Sequence, residues 1–185
     1  MALLTIRRIT VQNDISKFSK IVIDTNVLLF VHGGYTLTSS DRTKAGAYAN
    51  LINDLMANNN EIFVSTLTLQ ELFHVVEDKE YKLYNATHSS AFANKKQFRA
   101  DVMQRQLLKQ KLLSIYSQIN SLYTITDYCE INHQNVEDFI NTYDSHKFDP
   151  MDYILTKSFN CFPSVYYVTD DKDFQSNPML DVISY

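Results

Sequence analysis

Short apolar blocks alternate with helical stretches along this chain, and that alternation constrains its fold most tightly. The blocks are IVID (21–24), EIFVS (61–65), SLYTIT (121–126), VYYVT (165–169) and DVISY (181–185). They are rich in β-branched and aromatic residues and run apolar without alternating. A strand of that kind is buried on both faces, as in a parallel sheet covered by helices. Between the blocks lie helical stretches at Arg42–Asn58, Leu67–Glu77, Lys95–Ile119, Asn135–Tyr143 and Met151–Phe159. Strands alternating with helices build βαβ units, and these stack into a three-layer α/β/α domain with a central, mainly parallel sheet.

The rest of the chain agrees with one such domain over 1–185. Its 45% of apolar residues can fill a sizeable core, and three Gly and three Pro are too few for a turn-rich β fold. The segment HGGYTLTSSD (32–41) reads as a loop into the second helix, with Ser40 or Asp41 as its cap. YNATHSSAFAN (84–94) reads as a turn between two helices, so that a helical arm stands beside the sheet around 79–121. No internal repeat marks a second unit. No apolar run is long enough to span a membrane, and MALLTIRRIT lacks the apolar core and charge order of a signal peptide. Cys129 and Cys161 stand apart without partners at metal-binding or disulfide spacing. They suit a reducing compartment, so the expectation is a cytoplasmic protein.

The net charge of −4 hides an uneven distribution. From Lys79 to Lys111 the chain carries eight basic and two acidic residues, which leaves the remainder at −10. An acidic body with a basic segment suits a metal-dependent enzyme acting on a polyanion, and a solvated helix face would look the same. Lys95, Lys96, Arg99, Arg105 and Lys109 are the candidate RNA-binding residues.

The acids of the body are placed with order. In open α/β sheets, ligands bind beyond the carboxyl ends of the strands. Asp24 ends the first strand. Glu71 lies two turns into the helix after the second. Asp149 and Asp152 head a helix in KFDPMDYIL. Asp170, Asp171 and Asp173 follow the fourth strand in VTDDKDF. Each has an ordinary reading by itself: Asp24 and Asp149 as helix caps, Asp152 as a first-turn acid, Glu71 as a solvated helix residue. Together they put carboxylates from four parts of the chain at one sheet edge. Their mutual repulsion calls for a hard divalent cation, Mg²⁺ or Mn²⁺. The five histidines, at 32, 74, 88, 133 and 146, share no ligand spacing, and no glycine-rich phosphate loop or nucleophile elbow is present.

Four blocks resemble the PIN domain, the metal-dependent ribonuclease fold of many bacterial toxin–antitoxin toxins. IVIDTNVLLF is similar to the opening D-T-N signature of that family. IFVSTLTLQELF, FDPMDYILTKSF and YYVTDDKDF resemble its second, third and fourth motifs, in family order over residues 21–174. The resemblance implies an acidic quartet of Asp24, Glu71, Asp152 and Asp171 that holds Mg²⁺ or Mn²⁺ and hydrolyses RNA phosphodiester bonds. Asn26, Thr169 and Asp173 would support it, with Asp149 as a further candidate. It also implies a central first strand, an RNA substrate, an antitoxin protein as partner and a homodimer as one assembly. Relative to small family members, the extra length sits in the first twenty residues, at 32–41 and at 79–111. Two other functions stay open from the residues: a catalytically silent PIN-like module that binds RNA or protein, and a DNA-directed nuclease.

Overall fold

The computed structural model describes residues 6–7, 20–35, 38–89, 91–126, 133–145, 147–159, 162, 164–177 and 180–184. Cys129, Cys161 and His146, and most of the first twenty residues, lie outside them. The strands are β1 (Ile6–Arg7), β2 (Lys20–Ile23), β3 (Glu61–Ser65), β4 (Thr124–Thr126), β5 (Tyr166–Val168) and β6 (Asp181–Ser184). The helices are α1 (Thr25–His32), α2 (Ser39–Ala57), α3 (Thr66–Thr87), α4 (Lys95–Ala100), α5 (Val102–Leu122), α6 (His133–Asn141), α7 (Pro150–Ser158) and α8 (Lys172–Ser176).

All strands join one parallel sheet in the order β1-β6-β5-β2-β3-β4. The chain leaves β2 for β3 and β4 on one side, then returns to place β5 on the other side of β2. The strand order therefore switches between β2 and β5. Adjacent strand ends diverge at such a point and leave a crevice.

Successive strand residues face opposite layers, which explains the unbroken apolar blocks. Ile21, Ile23, Ile62, Val64, Val168 and Ile183 join the core under α1, α2, α3 and α5, with Leu28, Leu51, Leu72 and Ile119. Val22, Phe63, Tyr167 and Val182 face the second core, with Tyr153 and Phe159 of the α7 segment and Phe174 of α8. Two buried layers on one sheet make the three-layer α/β/α architecture that the alternation predicts.

Several boundaries differ from the sequence expectation. α2 is capped by Thr38, whose hydroxyl accepts from the Asp41 amide at 3.1 Å, so neither Ser40 nor Asp41 is the cap. α3 continues to Thr87, ten residues past Glu77, and uses up the first part of the expected 84–94 turn. The run from Lys95 to Ile119 is two helices. Asp101 ends α4 and caps α5 through its carboxylate, which accepts from the Gln104 amide at 2.9 Å. α5 then runs to Leu122, so β4 begins at Thr124, where the SLYTIT block placed the strand start at Ser121. At the end of α1, the Gly33 amide donates to the Leu29 carbonyl at 3.0 Å, and a Cβ on Gly33 would lie 2.4 Å from that oxygen. Gly34 follows at φ 65°, a conformation that glycine adopts without strain.

The outer part of α3, α4 and α5 forms a helical layer whose inner end is built into the domain. Ile115 and Ile119 of α5 pack in the first core with Tyr123. The Tyr123 hydroxyl meets His32 Nε2 of α1 at 2.7 Å, and burial holds the His32 pKa below its ordinary value. Among the described residues no helix is long and apolar enough to cross a membrane. If α5 anchors this layer through its inner end, Ile119→Ala should cost about 2–5 kcal/mol of stability. Leu107→Ala, at an exposed position on the same helix, should change it by less than about 0.5 kcal/mol. Chemical denaturation of both variants checks this, and equal losses would contradict it.

Candidate functional site

The crevice between β2 and β5 opens on Asp24. This residue follows β2 directly and caps α1, with the Thr25 amide donating to Oδ1 at 2.7 Å. Its other oxygen accepts from the Thr169 hydroxyl at 2.7 Å and lies 3.5 Å from the Asn26 amide nitrogen. The Asp24 amide donates to the Val168 carbonyl at 3.1 Å, which ties the two strand ends together along the backbone as well. Asp24 is only 5% exposed. Burial lifts its pKa to about 6 against the lowering effect of the Thr169 and Thr25 hydrogen bonds, and the charges of Glu71 and Asp171 raise it further.

Thr169 links two of the predicted acids. Its hydroxyl also accepts from the Asp171 amide at 2.9 Å, and Asp171 Oδ1 in turn accepts from the Asp173 amide at 2.7 Å as the cap of α8. Asp170, the neighbouring acid, turns the other way. It meets Lys44 Nζ at 2.6 Å and the Tyr48 hydroxyl at 3.1 Å, and so fastens the strand end to α2. The structure therefore separates three acids that lie within four residues. Asp171 faces the crevice, Asp170 serves an ion pair, and Asp173 lends its backbone amide to the α8 cap.

Glu71 reaches the same place from α3. Its Oε2 accepts from the Thr25 hydroxyl at 2.5 Å, one residue from Asp24. Asp152 stands in the first turn of α7. Asp149 caps that helix, with Oδ1 accepting from the Met151 and Asp152 amides at 2.8 and 2.9 Å. Half-buried Asp152 has its pKa pushed up to about 8, first by burial and then by the charges of Asp149, Asp24, Asp171 and Glu71. All four acids that the resemblance implies thus act on one another electrostatically at the carboxyl edge of the sheet. Among the described residues, however, no three His, Cys, Asp or Glu side chains are gathered closely enough to enclose a metal as they stand. Asp24, Asp149 and Asp171 are also helix caps. The cap reading and the cluster reading coexist, because a cap uses one carboxylate oxygen and leaves the residue's charge in place.

Two threonines join the site that sequence reasoning did not single out. Thr25 positions Glu71, and its hydroxyl lies 3.4 Å from the Thr68 carbonyl. The Thr68 hydroxyl itself is buried with no hydrogen-bond partner. The D-T-N run of IVIDTNVLLF carried a weak signal for Thr25. Nothing in the local sequence marks Thr68, since its place depends on α3 packing against α1.

Half of the basic residues of the 79–111 segment are paired with acids of their own layer. Arg99 forks onto Glu77, Lys95 meets Asp78 at 3.1 Å, Lys82 meets Asp78 at 2.5 Å, and Lys111 meets Glu80 at 2.5 Å. Lys96, Arg105 and Lys109 are exposed. Arg105 and Lys109 flank an apolar groove of about 320 Å³ lined by Phe73, Leu112 and Tyr116. A second groove, about 500 Å³, adjoins the acids; Glu71, His74 and Asp78 of α3 line it opposite Met151 of α7.

No protein-family model matches the chain, and no curated protein matches it.

The raised pKa values have a direct thermodynamic consequence. A carboxyl whose folded pKa lies above its ordinary 3.8 favours folding in its protonated form. That stability is whole below about pH 4. It is lost as pH rises, through about 6 for Asp24 and about 8 for Asp152. Metal-free Asp152→Asn should therefore exceed wild type in stability by about 1–2 kcal/mol at pH 9, allowing for solvent screening at this half-buried position. The difference should close by pH 4. Urea unfolding at both values measures it, and a pH-independent difference would contradict the raised pKa of Asp152.

Proposed function

We propose that the protein is a metal-dependent endoribonuclease of PIN type that hydrolyses RNA phosphodiester bonds. The observation that carries this reading is the Thr169 bridge. One hydroxyl donates to the carboxylate that ends β2 and accepts from the amide of the acid that follows β5, at the point where the strand order switches. Two acids far apart in sequence are thereby held at one crevice, where the electrostatic reach of Glu71 and Asp152 also falls.

The donor set fits Mg²⁺ or Mn²⁺. It is made of carboxylates, which hard cations prefer, and burial followed by the charges of neighbouring acids raises the pKa of Asp24 and Asp152, a crowding that a cation relieves. Asp24, Asp152, Asp171 and Glu71 would hold the ion, with Asp149 beside them. When bound, the metal would supply an activated water and neutralise charge on the phosphoryl oxygens. The protein's own groups hold their positions by named contacts. Thr169 and Asn26 orient Asp24, Thr25 orients Glu71, and the caps of α7 and α8 fix the helix starts that carry Asp152 and follow Asp171. Glu71, the exposed member, would orient an attacking water or hold a second ion. An antitoxin partner and a homodimer follow from the family resemblance alone.

Asp24→Asn and Asp171→Asn keep each cap acceptor while removing charge. Each should reduce Mn²⁺-dependent cleavage of single-stranded RNA by at least about 100-fold, with an unchanged circular dichroism spectrum. Wild-type rates in both would remove the assignment, and faster cleavage of single-stranded DNA than of RNA would favour the DNA-directed alternative. Lys95 and Arg99 are committed to acids, so Lys96, Arg105 and Lys109 are the cations we assign to distal phosphates. Replacing these three with Gln should flatten the salt dependence of RNA binding by up to about 2 in log–log slope, as about 0.7 per phosphate contact predicts for single strands. An unchanged slope would mean that this layer takes no part.

A further inference from the structure

The outer face of α5 carries two rows of side chains at four-residue spacing that the cores leave partly uncovered. Leu108, Leu112 and Tyr116 form one row, and Arg105, Lys109 and Leu113 run beside it. With Phe73 of α3 they line the apolar groove of about 320 Å³. Leu108 and Leu112 rest on the first core, while Leu113 and Tyr116 are 55% and 41% exposed. We propose that this groove docks an acidic amphipathic helix of a partner protein, which inserts apolar side chains along the floor and sets its carboxylates against Arg105 and Lys109.

This surface stands apart from the acids at the carboxyl edge of the sheet. Phe73 follows Glu71 at about 200° around α3, so it faces away from the stripe of Glu71, His74, Val75 and Asp78 that lines the other groove. An exposed apolar patch rimmed by charge is the usual mark of a protein contact. Its form suits a helix. From Arg105 to Tyr116 the rows run for about 16 Å, three helical turns, which a partner helix matches with apolar residues at i, i+4 and i+7. The groove has room for a few inserted side chains, with the backbone of the partner lying above it.

Charge selects the kind of helix. α5 carries three cations, Arg105, Lys109 and Lys111, and no acid between Val102 and Leu122. Lys111 is committed to Glu80, whereas neither Arg105 nor Lys109 is paired with an acid among the described residues. A second copy of α5 laid on this face would bring cations against cations with no carboxylate to answer them. An acidic helix supplies the missing sign. RNA phosphates would meet the same two cations but leave the leucines in water, so helix and RNA would exclude each other here.

Fluorescence anisotropy of labelled synthetic peptides with the full chain tests this. The probe is a helix-forming peptide of about four turns, with leucine at i, i+4, i+7 and i+11 and glutamate on both flanks. In one control lysine replaces every glutamate, and in the other the leucines are shuffled off the stripe. The acidic probe should bind wild type at least about tenfold more tightly than either control. Leu113→Ser, at an exposed position, and the double variant Arg105→Gln with Lys109→Gln should each weaken that binding at least about fivefold without lowering the melting temperature. No saturable binding, equal binding of probe and controls, or an affinity that neither variant changes would overturn the proposal. A wild-type dimer that Leu113→Ser dissociates in sedimentation equilibrium would overturn it in favour of a second copy. Single-stranded RNA binding that Leu113→Ser weakens would overturn it in favour of RNA bases. Each of these results leaves Mn²⁺-dependent cleavage as a separate question, so the nuclease reading stands or falls by its own test.

Discussion

A buried carboxylate held by the threonine that follows the neighbouring strand organises the carboxyl edge of this sheet. Asp24 is 5% exposed and surrounded by other acids, a setting that disfavours its charge. The Thr169 hydroxyl and the Thr25 amide offset part of that cost, and they do so from two different elements. Asp24 therefore sits where β2, β5 and α1 meet and is held by all three. Removing any of these partners would leave a desolvated acid with too few donors. The parallel sheet serves this point: the two cores on its faces fix the strand ends, and the strand ends fix the carboxylates.

The helix caps are part of the same economy. A carboxylate that accepts from a backbone amide at a helix start is oriented and favoured by the helix dipole, yet it remains an acid with lone pairs to spare. Asp24, Asp149 and Asp171 all use this device. It lets like charges stand near one another in a metal-free fold. Asp152 has no such cap of its own, and among the acids its pKa is pushed furthest, to about 8.

The legible part of the sequence was the part decided locally. Continuous apolar blocks announced buried parallel strands, and acids at or beyond the ends of those blocks pointed to the carboxyl edge of the sheet. What the sequence did not expose depends on contacts between distant segments. The basic balance of 79–111 looked available to a polyanion. Its main counter-charges, Glu77 and Asp78, lie just before that window, and the fold-back of α4 and α5 onto α3 brings them into contact. The break at Asp101 was hidden because no Gly or Pro marks it, only a carboxylate that caps the next turn. Asp170 and Asp171 are chemically identical neighbours, and only the side of the strand end each faces separates an ion pair with Lys44 from a place in the crevice.

The central claim is that these carboxylates form one cation site and are not merely four well-placed caps. Calorimetric titration of Mn²⁺ into metal-free wild type and Asp171→Asn, at a pH near 8, tests it most directly. Asparagine keeps the α8 cap acceptor, so the helix start is preserved while one charge is removed. A single cation site predicts saturable binding to wild type and at least about tenfold weaker binding to the variant, the value of roughly 1.4 kcal/mol. No saturable binding to wild type, or equal affinity in both proteins, would contradict it.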